Sequence, residues 1–176
     1  MGRLFAATLG VLATTVAATT VAAGPAQAAP TAAGLDWQPY RSAQYTVGAG
    51  ERCAFGVHAE PVVDEERIAT LTTYPDGSPR QQVITGDLRV RYTNLDSGAT
   101  VEHDLSGTAF IDYGTDGSMT HRYLGPVAVG FRATDAHPKG IWRLDGYHEV
   151  TFAADGGVRE IRVDGGTEHD VCTDLD

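Results

Sequence analysis

From about residue 50 onward, hydrophobic and polar side chains alternate in short runs of period two, and no stretch sustains helical three-four spacing over three turns. Successive side chains of a strand point to opposite faces, so such runs predict half-buried strands. Cys53, Phe55 and Val57 share one face of the first run, and residues 66–74 form a β-rich second. Leu88, Val90 and Tyr92 alternate with Arg89, Arg91 and Thr93; Val101, His103 and Leu105 alternate with Glu102 and Asp104. Phe110 to Tyr113 is a short apolar run. Met119, His121 and Tyr123 alternate with Thr120 and Arg122, and Val127, Val129 and Phe131 with Ala128 and Gly130. Trp142 and Leu144 precede His148, Val150 and Phe152, which alternate with Tyr147, Glu149 and Thr151; Ile161 and Val163 continue the core face.

Turn signals separate these runs: Asp76-Gly77, Ser97-Gly98, Asp116-Gly117, Asp145-Gly146, Asp155-Gly156 and Asp164-Gly165. Asp-Gly supplies the positive φ that tight hairpins require. Short strands joined by tight turns predict an all-β antiparallel meander over residues 49–176, closed or nearly closed into a β-barrel, with a β-sandwich as the alternative. The expected core is Leu88, Val90, Tyr92, Val101, Leu105, Val127, Val129, Phe131, Trp142, Val150, Phe152, Ile161 and Val163. Residues 29–48, rich in Ala, Pro, Thr and Gly at first, show no period. They read as a flexible N-terminal segment that docks through Trp37, Tyr40 and Tyr45.

The start of the chain follows another rule. Arg3 precedes an almost uncharged run from Leu4 to Ala23, Pro25 interrupts it, and Ala26-Gln27-Ala28 offers small residues to a signal peptidase. Residues 1–28 therefore read as a secretory signal peptide with a helical apolar segment. A stretch of about 20 apolar residues is also long enough to span a bilayer. Here Ala and Thr dominate over Leu and a cleavage site follows, so cleavage is the expectation. There is no twin-arginine pair, no cysteine at the new N-terminus and no apolar tail. The expected product, residues 29–176, is extracellular and free of the membrane.

The chain has 13 Lys and Arg against 23 Asp and Glu, a net charge of −10, so nucleic acid and anionic lipid are poor partners. The two cysteines, Cys53 and Cys172, stand at opposite ends of the domain. In an oxidising compartment an even pair forms one bridge, which brings first and last strands together; this favours the barrel.

Several short pieces resemble a group of small secreted actinobacterial β-proteins without an assigned activity. They are Cys53-Ala54-Phe55, Gly86-Asp87-Leu88 leading to Tyr92-Thr93-Asn94, Ser97-Gly98, Ser106-Gly107 and the ending Asp170-Val171-Cys172 with Leu175. The resemblance implies secretion, an all-β fold and the terminal disulfide, and carries over no catalytic or binding residue.

The chain contains no nucleophile elbow, zinc-protease helix motif, P-loop or dinucleotide fingerprint. Residues 112–117 and 164–168 place oxygen ligands in expected loops, without the spacing of a calcium loop. His103, His121 and His148 fall on the apolar faces of their strands. Three imidazoles around one point would hold zinc, or one beside Tyr92 or Tyr123 would act as a base. The plainer reading is three histidines bonded separately, with no metal, cofactor or catalytic residue. Tyr92, Tyr113, Tyr123, Trp142 and Phe152 are candidate pocket walls. The candidate ligand-binding set is Tyr92, His103, His121, Tyr123, Trp142 and His148. The expected function is a non-enzymatic extracellular domain binding a small molecule or a protein partner. The alternatives are an enzyme with an interior His/Tyr cluster and an inhibitor acting through the loop 133–140.

Overall fold

The computed structural model describes residues 34–176; the expected signal segment, its helix and the first residues after it lie outside the described residues. Twelve strands run in chain order. They are β1 (Gln38–Pro39), β2 (Tyr45–Val47), β3 (Val57–Asp64), β4 (Arg67–Thr73), β5 (Pro79–Thr85), β6 (Leu88–Asn94), β7 (Thr100–Asp104), β8 (Thr108–Tyr113), β9 (Met119–Leu124), β10 (Val127–Phe131), β11 (Gly140–Phe152) and β12 (Arg159–Asp170). Short 3-10 turns occupy Ala154–Gly156 and Val171–Asp174, and no α-helix occurs among the described residues.

Consecutive strands form antiparallel ladders that continue one another. The β4–β5 ladder extends into β3–β6, and the β5–β8 ladder into β6–β7. Leu124 faces Tyr147 and Val127 faces Leu144, so β9 and β10 lie end to end along one edge of β11. β12 lines the other edge. The molecule is thus a meander of six long strands, each interrupted or kinked near its middle. A line of bends crosses it at Glu65-Glu66, Gly86-Asp87, Gly107, Gly125, Gly146 and Gly166. Hydrogen bonds stitch these bends together: Glu65 N–H to Asp87 O at 2.8 Å, Gly107 N–H to Pro126 O at 3.0 Å and Gly125 N–H to Gly146 O at 2.9 Å.

This crease explains the layers. β3, β6 and β7 with β2 form a four-stranded sheet, and the remaining strands form an eight-stranded one. The chain changes sheet at the first three bends. At Gly146, with φ of +112°, β11 kinks but carries on, and a Cβ there would lie 2.8 Å from the Gly166 Cα. At Gly166 a Cβ would fall on the Asp145 carbonyl oxygen. Only glycine permits this approach of two backbones. Asp145-Gly146 and Asp164-Gly165, expected as turns, are therefore bends inside β11 and β12.

Among the described residues no sheet closes into a barrel, so the expected barrel gives way to a sandwich-like pair of antiparallel sheets. Two edges account for this. β7 pairs with β6 and β10 with β11, so beyond the crease the third and fourth long strands separate. The outer edge of β3 is taken by β2. Residues 34–48, expected as an irregular end, thus add β1 to one sheet and β2 to the other.

The Cys53–Cys172 disulfide is present, with Cα atoms 5.5 Å apart. Cys53 lies just before β3 and Cys172 in the 3-10 turn after β12, so neither is in a strand. The bridge sits in a buried cluster with Phe55, Val57, Tyr92, Ile141 and Leu175. A second cluster gathers Tyr123, Val129, Phe131, Leu144 and Val150. Of the expected core, Val90, Tyr92, Leu105, Val129, Phe131 and Val150 are buried, and Leu88, Val101, Val127, Trp142, Phe152 and Ile161 are half-buried. Val163 is exposed, against expectation. Val150 faces Ile161 but Glu149 faces Val163, so Arg162 is an extra residue that shifts the alternation by one.

Candidate functional site

Between the two sheets lies a cavity of about 300 Å³. Its apolar wall comes from Ile84, Leu88, Val90, Leu105, Ile111 and Val127. All but Leu105, which directly follows β7, face inward because alternation places every second side chain of their strands between the sheets. The polar lining is Tyr40, Ser42, Tyr45, Glu66, Tyr92, His121 and Tyr123. Tyr92 comes from one sheet, and His121 and Tyr123 from the other, as next-but-one neighbours on β9.

The segment carrying β1 and β2 supplies Tyr40, Ser42 and Tyr45. Ser42 donates its N–H to Asp64 Oδ2 at 2.8 Å and its hydroxyl to Glu66 Oε2 at 2.6 Å, and Tyr40 N–H donates to the Glu66 carbonyl at 3.0 Å. Arg67 lies over the Trp37 ring at 4.6 Å. Nothing in the composition of residues 34–48 marked this segment as a cavity wall; its aromatic residues were the one usable signal.

Burial sets the electrostatics. His121 Nδ1 and the Tyr123 hydroxyl are 2.7 Å apart, while His121 Nε2 is buried without a hydrogen-bond partner among the described residues. Burial lowers the His121 pKa from 6.5 to about 4 and raises that of Tyr123. Burial, then the neighbouring Tyr45, raises Tyr92 well above its ordinary value. Burial also raises Glu66, against the hydrogen bond from Ser42. At neutral pH the His121–Tyr123 pair is uncharged, and the lining reads as hydrogen-bonding groups in an apolar frame.

The remaining expected residues lie elsewhere. His103 Nε2 is 3.0 Å from Asp174 Oδ2, which His169 Nε2 approaches at 2.8 Å. Trp142 donates Nε1–H to the Pro138 carbonyl at 3.0 Å and packs against His137. His148 is buried beneath β12, 3.3 Å from Asp164. Phe152 packs tilted against His121 at 4.5 Å between centroids, and Tyr113 donates its hydroxyl to Gln82 Oε1 at 2.8 Å. Of the candidate binding set, the fold brings Tyr92, His121 and Tyr123 to one cavity and leaves His103, Trp142 and His148 outside its lining.

The loop 133–140 is tied down at several points. Asp135 accepts the backbone N–H of Arg132 at 2.6 Å and of Arg159 at 3.0 Å. Burial opposes its charge, but Arg132 and these N–H groups hold its pKa at about 2. Lys139 donates to the Gly50 carbonyl at 2.9 Å. Residues 164–168, read as loop, lie on β12.

No protein-family model, curated protein or solved structure matches this chain. Among the described residues, no helix is long and apolar enough to cross a membrane.

Proposed function

We propose that the protein is an exported, non-enzymatic domain that binds a small amphipathic molecule between its sheets. The intersheet cavity carries this reading: an apolar frame with convergent phenol, imidazole and carboxyl groups is the usual form of a small-ligand site. The volume suits a compact molecule with one or two polar groups. Export is supported by the N-terminal pattern, and the disulfide fits an oxidising destination.

The His121–Tyr123 pair raises the alternative of catalysis. A base with a pKa of about 4 takes little part in proton transfer at neutral pH, so the pair serves better as a donor and acceptor to a bound ligand.

The test is a panel of fragment-sized phenols, indoles and short-chain acids, followed by amide chemical shifts. Binders are expected to shift Ile111, His121 and Val127. Ala109→Phe, which fills the cavity, is expected to abolish those shifts. Binders that cluster elsewhere, or that ignore Ala109→Phe, overturn the proposal.

A further inference from the structure

His148, Asp164 and Glu168 form a second constellation, separate from the cavity. One ligand atom from each lies within 4.8 Å of the others. The strands explain why. His148 on β11 faces Asp164 on β12, and Glu168 faces Leu144, two steps of alternation further along the same side of the ladder. Between Asp164 and Glu168 stands Gly166. A Cβ there would lie 2.8 Å from His148 Nε2, so its absence lets the imidazole lie across the strand.

The protons of this imidazole are constrained. Its side chain is fully buried, and Nε2 is 3.4 Å from the Asp145 carbonyl, which can only accept a hydrogen bond. Nε2 is therefore the donor. Nδ1 is left facing Asp164 Oδ1 at 3.3 Å, yet without hydrogen-bond geometry to it or to any other described group. A buried ring nitrogen turned to a carboxylate, with no hydrogen bond between them, is an arrangement that a cation completes. Glu168 brings a second carboxylate and is held from behind. Its Oε2 is 2.8 Å from His137 Nε2, and the His137 ring lies 4.4 Å from Phe131 and 4.7 Å from Trp142. A hydrogen bond from behind is the usual support of a metal-ligating carboxylate.

We propose that His148, Asp164 and Glu168 bind one divalent transition-metal ion of the zinc type. The imidazole nitrogen argues against calcium and magnesium, which take oxygen ligands. Tetrahedral zinc places its ligand atoms about 3.3 Å apart, the present separation of His148 Nδ1 and Asp164 Oδ1, so the widest remaining gap must close by up to about 1.5 Å. Asp164, more than half exposed, is free to move. Water completes the shell. The ion would clamp β11 to β12 where Gly146 and Gly166 leave the ladder without side chains.

The test uses the full, untagged, disulfide-intact chain and zinc alone, presented in competition with a chromogenic chelator. One zinc per chain is expected. Asp164→Asn and Glu168→Gln are each expected to weaken binding about tenfold or more, while Asp174→Asn, in the His103–His169 cluster, leaves it unchanged. Zinc should raise the melting temperature of the parent protein but not of Asp164→Asn. Both variants alter partly exposed side chains, so folding is not at stake as it would be for His148. No uptake of zinc, uptake indifferent to Asp164→Asn and Glu168→Gln, loss on Asp174→Asn, or a preference for calcium over zinc would each overturn the proposal.

Discussion

His121 is held without its proton, because burial lowers its pKa from 6.5 to about 4. Between those values the unfolded chain binds a proton that the folded one refuses. The stability tied to neutral His121 is present in full above about pH 6.5 and is lost as pH falls through 4. The shift corresponds to roughly 3 kcal/mol. Urea unfolding at pH 7, 5 and 4 is expected to show the parent losing stability faster than His121→Gln; parallel curves would mean that the ring is protonated freely in the folded state. Tyr123→Phe removes the partner of His121 Nδ1 and is expected to cost about 1–3 kcal/mol in the same measurement. At this scale the sequence was informative within a strand and silent between strands. Alternation alone put His121 and Tyr123 on one inward face. His148, Asp164 and Glu168 come together only through the pairing of β11 with β12, and no period in either segment encodes which residue faces which.

At the scale of elements, the crease divides glycines of similar sequence context into two kinds. Gly117 has φ of +87° and open space around its Cβ position, as a hairpin turn requires. Gly117→Ala is expected to cost about 1 kcal/mol, the penalty of backbone conformation alone. Gly166→Ala drives a methyl into the Asp145 carbonyl and is expected to cost about 2–4 kcal/mol, with loss of amide protection at Gly146 in hydrogen exchange. Equal costs would show that the crease relaxes without penalty. As sequence, Asp145-Gly146 and Asp116-Gly117 give the same turn signal, because both supply positive φ. What separates them is the neighbouring strand, which for Gly146 is another glycine. The antiparallel meander was legible because its hairpins are local; the joining of the expected short strands into six long ones was not. The line of bends at Gly86, Gly107, Gly125, Gly146 and Gly166 recurs at nearly even intervals, and that regularity was the available sign of long strands folded over.

For the whole molecule, the alternation could not decide closure. A barrel and a folded-over pair of sheets present the same inward and outward faces; they differ in whether the last strand bonds to the first. Here β2 takes the first edge, and the join between the segment before β3 and the turn after β12 is covalent. Cys53→Ala with Cys172→Ala is expected to lower stability by about 2–4 kcal/mol in urea while the strand content, read by circular dichroism, persists. Loss of all structure would mean that the ladders depend on the bridge. The meander also sets an order of events. Every long ladder joins neighbours in sequence, so each hairpin can zip onto its predecessor without waiting for distant chain, and loop-closure cost stays low. The exception spans 119 residues and needs both ends in place. The bridge is therefore the one link in this meander that no local hairpin can supply: Cys53 cannot be oxidised to its partner until the chain 119 residues further on is in place.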